Sequence, residues 1–225
     1  MTHDRGLTLV ELLVGLAIGL ILLAGASGLM LGQLREHRQL VLETQVQQDV
    51  RAMAALLRRE VATAGAWGDP ARGAWSAHQG KGRPNPYADV EASPDGSSLS
   101  LAASQAVLHG VDDDNHQLDD EDRKVFRWRA AALEFRTDGG RFQPLNDPGT
   151  VAIRHFEARI ETTRHPQEGL CPKACAGWAQ CPPQLVTRTL RVRLEAEAAT
   201  DPRIQHRLDW RTRLDTDHIE GSCPP

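Results

Sequence analysis

Aromatic residues are scarce in this sequence. They make up 4% of the 225 residues, whereas hydrophobic residues as a whole make up 40%, so a core must be built mainly from Leu, Val and Ala with a few Trp. An excess of positive charge is also missing, because 26 Lys and Arg stand against 30 Asp and Glu. Nucleic-acid binding favours a basic surface, and we therefore expect no nucleic-acid partner.

Catalytic motifs are missing as well. The sequence contains no G-x-S-x-G, no P-loop, no H-E-x-x-H and no dinucleotide-binding fingerprint. We therefore expect a chain that is not an enzyme, with no catalytic residue, no cofactor and no cofactor-binding residue. An exported enzyme is the alternative, and it predicts a cleft with perturbed acid and base groups.

One long apolar stretch runs from Gly6 to Leu34 and carries a single charge, Glu11. About 20 such residues are enough to cross a bilayer as a helix. A carboxylate at the centre of such a span costs up to about 2.5–3.5 kcal/mol. The stretch therefore predicts a membrane-spanning helix in which Glu11 requires a partner of opposite charge.

The run GLTLVE at residues 6–11, between a short polar leader and the apolar helix, resembles the processing signal of type IV prepilins and type II secretion pseudopilins. The resemblance implies that a prepilin peptidase cuts after Gly6 and that the new N-terminal residue, Leu7, is methylated. It also implies that Glu11 pairs with the terminal amine of a neighbouring subunit in a filament. A buried carboxylate and a buried ammonium offset each other only when together, so subunits pack in one register.

Many members of that family have a proline that kinks the helix, whereas the first proline here is Pro70. We expect glycines to supply the flexibility instead, because each costs a helix about 1 kcal/mol relative to Ala. Two small-xxx-small pairs among them, Gly15 with Gly19 and Gly28 with Gly32, permit close helix approach in lipid.

Three other interpretations of the apolar stretch stay open. It is also compatible with a secretory signal cut after the small-x-small site at residues 24–26. A plain membrane anchor with an accidental Glu11 is the second alternative. The third is a buried helix of a soluble domain.

Helical periodicity continues beyond Leu34 on a narrow apolar face, and Gly65 is a plausible stop. The face comprises Val46, Val50, Met53, Leu57 and Val61. Residues 47–68 resemble the helix end of PilW-type minor pilins, and pseudopilins of the GspJ type share part of the pattern. We predict four regions: a leader at 1–6, a transmembrane and filament-core helix at 7–34, its amphipathic continuation at 35–65 and a head at 66–225.

From Ser98 the periodicity changes from helical to alternating. Residues 99–101, 125–129, 132–136, 151–163 and 185–198 are predicted strands, and Asp138-Gly139-Gly140 predicts a hairpin turn. In 185–198, apolar residues alternate with charged ones. Strands that follow one another by turns indicate an antiparallel sheet, so we predict an α+β head in which the helix covers the apolar face of the sheet.

An acidic segment at residues 112–122 lies between the first predicted strands. Calcium requires several oxygen ligands in a tight loop, and the weak candidates are Asp112, Asp114, Asp119 and Asp122. The EF-hand spacing and its glycine are absent, so a solvated acidic loop is the simpler interpretation.

The four cysteines all lie in the last quarter of the chain: Cys171, Cys175, Cys181 and Cys223. Disulfides are the expected state in an exported head. Four cysteines allow three pairings, and the sequence does not choose among them. A zinc site is the alternative, but its usual C-x-x-C spacing is missing, and we expect no metal there.

The family resemblance implies a minor type IV pilin that takes part in initiating or assembling a pilus. The implied partners are the prepilin peptidase, other minor pilins, the major pilin, the inner-membrane assembly platform and a tip adhesin. The implied location is a single pass through the inner membrane with the head in the periplasm, followed by incorporation into the pilus at the cell surface. A GspJ-type pseudopilin of a type II secretion system is the nearest alternative, and a membrane-anchored ligand- or calcium-binding module is an alternative of another class.

Overall fold

The computed structural model describes residues 9–77, 82–108, 110 and 115–224. A long N-terminal helix is followed by antiparallel β-sheets, which confirms the predicted α+β pilin-like class. The chain divides into two compact units between Thr44 and Gln45. That boundary falls inside the segment predicted as the amphipathic continuation.

Helix α1 spans Leu9–Thr63. Gly65, the predicted stop, follows two residues after its end, where the backbone turns into the left-handed region with φ of 83°. The Gly65 N–H donates to the carbonyl of Ala102 at 2.8 Å. A Cβ on Gly65 would lie 2.9 Å from Thr216 Cγ2, so both the backbone angle and the available space favour glycine here.

Besides the C-terminal part of α1, the second unit contains nine strands and one short α-helix among the described residues. They are β1 (Glu91–Ala92), β2 (Ser98–Ala102), α2 (Gln105–Leu108), β3 (Arg123–Arg129), β4 (Ala132–Arg136), β5 (Gln143–Pro144), β6 (Val151–Pro166), β7 (Gln184–Ala198), β8 (Asp201–Arg213) and β9 (His218–Glu220). All pairings are antiparallel.

The strands form two sheets, where the sequence predicted one. The first has the order β1-β2-β3-β4-β5, and the second has the order β6-β7-β8 with β9 also paired to β7. The sheets separate after β5, where the buried amide of Asn146 takes the place of ladder bonds. Its Oδ1 accepts from Leu133 N at 2.9 Å, and its Nδ2 donates to Val151 O at 2.7 Å.

Strand β7 shows the predicted alternation. Its apolar residues Leu190, Val192, Leu194 and Ala196 are buried, while Arg191, Arg193 and Glu195 are half-buried on the other face. Glu197 departs from the pattern because it is buried, and its carboxylate pairs with Arg154 at 2.6 Å.

The C-terminal part of α1 covers the head, as predicted. The five residues of its apolar face are each at most 3% exposed: Val46, Val50, Met53, Leu57 and Val61. Lys124 of β3 lies 2.6 Å from Glu60, and the Arg58 guanidinium lies 4.8 Å from the centre of the Trp210 ring on β8. The helix therefore contacts a strand of each sheet.

Candidate assembly site

The apolar part of α1 exposes its side chains. Every side chain described from Leu9 to Leu34 is exposed, and none of the most apolar window is buried within the chain. This is the one helix among the described residues that is long and apolar enough to cross a membrane. This exposure is unlike the buried helix of a soluble domain, the third of the alternatives raised by the sequence, and it fits a membrane-anchored pilin.

Glu11 lies in the first turn of α1 and is exposed. Gly15 and Gly19 follow it at steps of four, so the three residues lie on one helix face. No atom lies within 4 Å of a Cβ built on either glycine. The face beside Glu11 is therefore open to close approach by another helix, a geometry that small residues permit in lipid.

Gly6 and Leu7, the predicted processing residues, lie outside the described residues.

Asp119 and Asp122 have structural roles in the acidic segment. They form a capping box on the short turn Asp120–Asp122, with Asp122 Oδ2 accepting from Asp119 N at 3.1 Å. Asp122 Oδ1 also accepts from Gln105 N at 3.1 Å. Asp112 and Asp114 lie outside the described residues, and calcium binding stays the weaker alternative to a solvated acidic loop.

The cysteines form two disulfides, Cys171–Cys223 and Cys175–Cys181. The disulfide prediction is confirmed, and the structure supplies the pairing. Cys171, Cys175 and Cys181 cluster closely enough to hold a metal, but bonded sulfurs are not thiolates and lack the charge that zinc requires. The first bridge joins the β6–β7 connection to the C-terminal segment.

A cleft of about 420 Å³ lies beside the end of α1 and was not foreseen from the sequence. It includes Trp67, Arg83, Asn85, Thr216 and His218 in its lining. Both ring nitrogens of His218 face acceptors, since Nδ1 lies 3.3 Å from Thr216 O and Nε2 lies 3.3 Å from Glu220 Oε1. Neither ring nitrogen of His218 therefore faces a nucleophile within the described part of the cleft.

Comparisons with known proteins place these features in a family. The model of the prokaryotic N-terminal methylation motif matches residues 1–27. The model of prepilin peptidase-dependent protein B matches residues 39–214, which is more than half of the chain. No curated protein and no solved structure matched the chain. The apolar helix thus carries a prepilin-type methylation motif, and the segment that follows matches a prepilin peptidase-dependent family. The chain belongs to the prepilin peptidase-dependent protein B family of type IV prepilin-like proteins.

Proposed function

We propose that this chain is a minor type IV pilin of the PilW type, which takes part in initiating and assembling a pilus as a structural subunit. The observation that carries the proposal is the methylation motif at residues 1–27, which overlaps the start of an exposed apolar helix whose one charge before Arg35 is Glu11. The chain itself performs no chemistry in this proposal.

In this role the prepilin peptidase removes residues 1–6 and methylates Leu7. Glu11 then becomes the fifth residue of the mature chain and pairs with the terminal amine of a neighbouring subunit. A carboxylate in lipid costs up to about 2.5–3.5 kcal/mol when unpaired, so pairing favours one register between packed helices. The open face of Glu11, Gly15 and Gly19 lets a second helix approach closely.

The proposed location follows from the same segment. The helix passes once through the inner membrane with its head in the periplasm, and the subunit then enters the filament. Two disulfides in the head support this location, because disulfides persist in oxidising compartments. The proposed partners in the filament are other minor pilins, the major pilin, the assembly platform and a tip adhesin.

The first test is the N-terminal mass of the protein recovered from membranes of cells with and without the prepilin peptidase. The proposal expects a chain that begins at methylated Leu7 only when the peptidase is present. A chain that begins at Ser27, or that keeps residues 1–6 in both strains, would contradict it. An uncut chain would favour a membrane-anchored binding module instead.

A second test separates processing from assembly. Glu11→Ala is expected to leave cleavage after Gly6 intact and to abolish co-purification with the other pilins. Glu43→Ala is the matched control, because Glu43 is an exposed glutamate of the same helix beyond the apolar part.

Deletion of the gene distinguishes a type IV pilus from a type II secretion system. Lost pili support a minor pilin, whereas lost protein secretion with normal pili supports a GspJ-type pseudopilin.

A further inference from the structure

Three arginines lie side by side across the second sheet. The register places Arg159 of β6 opposite Arg191 of β7, and Arg191 opposite Arg211 of β8. Residues directly opposite one another in antiparallel strands project from the same face, and neighbouring strands are about 4.8 Å apart. We name Arg159, Arg191 and Arg211 the arginine row.

The arginine row faces solvent. The side chains of Arg159 and Arg191 are 70% and 37% exposed, and Arg211 is exposed as well. The opposite face of β7 carries the buried residues Leu190 and Val192. The row is therefore on the outer face of the sheet and is accessible to another molecule.

The positive charge of the row is only partly neutralised within the chain. Arg159 Nε donates to Glu157 Oε1 at 2.7 Å, and Arg191 lies 3.3 Å from Asp209, which also neighbours Arg193 and Arg207. Arg211 has no ion pair to any described residue. Like charges directly opposite each other destabilise a sheet, so a bound anion would relieve their repulsion.

Rows that contain carboxylates flank the arginine row on both sides. Across β6, β7 and β8, the row on one side consists of Glu157, Arg193 and Asp209. The row on the other side consists of Glu161, Thr189 and Arg213. Neighbouring rows on one face are about 6.8 Å apart along a strand. The positive stripe is therefore narrow and is bordered on each side by a row that contains carboxylates, with Glu157 and Asp209 in the first and Glu161 in the second.

We propose that the arginine row docks an extended acidic segment of a partner protein. Guanidinium groups bind carboxylates in a planar, two-pronged geometry, and a single extended chain fits a stripe one row wide. A nucleic-acid duplex is wider and would bring phosphates over the flanking carboxylates. The row and the two flanking rows also contain no aromatic side chain on which bases of a single strand would stack.

This inference deepens the proposed function and rests on it in one respect, namely that the partner is another subunit of the assembly. Its test needs no filament. The N-terminal mass reports on the proposed function and does not depend on the arginine row, so the two can fail separately.

The test uses the full chain in a zwitterionic detergent and a fluorescein-labelled peptide of alternating Glu and Thr, with binding followed by fluorescence anisotropy. Arg211→Glu is expected to weaken peptide binding by about tenfold or more, equivalent to about 1.4 kcal/mol. Arg211→Gln, which removes the charge without reversing it, should weaken it by a smaller factor. Raising the salt concentration should weaken binding to the unsubstituted chain.

Arg203→Glu is the matched control. Arg203 lies on the same strand, is 89% exposed and pairs with Asp201, but it is about 27 Å from Arg211 along β8. The substitution Arg203→Glu makes the same change in net charge as Arg211→Glu and should alter peptide binding by less than about twofold.

Four results would overturn the inference. The first is an unsubstituted chain that does not bind the peptide. The second is an Arg211→Glu variant that binds as tightly as the unsubstituted chain, and the third is an Arg203→Glu variant that weakens binding as much as Arg211→Glu does. A DNA duplex that binds more tightly than the peptide and is lost in Arg211→Glu would replace the protein partner with nucleic acid.

Discussion

Lys124 Nζ of strand β3 lies 2.6 Å from Glu60 Oε2 of helix α1, and the two side chains are 12% and 6% exposed. Arg59 Nη2 donates to the other oxygen of Glu60 at 2.7 Å. Burial on its own raises the pKa of Glu60, but the hydrogen bonds from Lys124 and Arg59 and their charges outweigh it and hold the pKa below its ordinary value of 4.5. This buried charge pair links the helix to the first sheet.

Replacing Lys124 with Met should destabilise the head. The substitution leaves a buried carboxylate with Arg59 as its remaining cation, and breaking a buried pair costs about 3–5 kcal/mol when no partner is left. We expect a loss of about 2–3 kcal/mol in the free energy of unfolding, measured by denaturant titration of the full chain in detergent. The double variant Glu60→Gln with Lys124→Met should recover part of the loss, and a double variant less stable than Lys124→Met would contradict the assignment.

The same pair predicts a dependence of stability on pH. Because the folded chain lowers the pKa of Glu60 below 4.5, the stability that Glu60 contributes is complete above that pH and is lost as the pH falls through the folded value. Unfolding midpoints should therefore decrease as the pH is lowered below about 4.5. In the variant Glu60→Gln this part of the decrease should be absent, and an identical pH profile for both proteins would refute the prediction.

The two disulfides should contribute unequally to stability. Cys171–Cys223 spans 52 residues of sequence and Cys175–Cys181 spans 6. In the chain-entropy model these loops correspond to about 4 and about 2 kcal/mol. Replacing Cys171 and Cys223 with Ser should therefore lower the free energy of unfolding more than replacing Cys175 and Cys181. Peptide mapping under non-reducing conditions checks that the remaining bridge keeps its pairing.

Gly65→Ala should destabilise the end of α1 more than Gly177→Ala destabilises its loop. Both glycines have positive φ, at 83° and 81°, so the backbone cost of about 1 kcal/mol is shared. Only Gly65 has a close neighbour, since its added Cβ would lie 2.9 Å from Thr216 Cγ2, whereas nothing lies within 4 Å at Gly177. Equal losses of thermal stability in the two variants would show that Thr216 moves aside freely.

The β3–β4 turn offers a stabilising substitution. Ala130 and Ala131 have φ of 50° and 63°, and two-residue hairpins with positive φ at both positions normally use Asn-Gly. Ala131→Gly should raise the free energy of unfolding by about 0.5–1 kcal/mol. Ala55→Gly, on the exposed face of α1, should lower it by about 1 kcal/mol, so opposite signs are expected from the same chemical change.

The sequence predicted the elements whose causes are local. The apolar face from Val46 to Val61 has helical spacing, and the strands β6 and β7 alternate with a period of two, so both were found with small errors at their ends. Gly65 was recognisable as a stop because glycine enters the left-handed region without strain.

The features that were missed depend on contacts between distant residues. The two sheets separate where the amide of Asn146 bonds to Leu133 and Val151, and a lone Asn in the sequence carries no signal of such contacts. Asp119 and Asp122 cap a turn with the same carboxylates that would bind calcium, so residue type alone does not separate the two roles. The arginine row exists only through the register of β6, β7 and β8, which joins residues up to 52 positions apart.

The Cys171–Cys223 bridge also sets how the subunit responds to tension. It encloses strands β7, β8 and β9 in a covalent loop of 52 residues. When the chain is pulled between its two ends, load passes through the bridge and bypasses this loop. About 180 Å of polypeptide is thereby withheld from extension, so the second sheet keeps β7, β8 and β9 tethered even after the rest of the head has been drawn out.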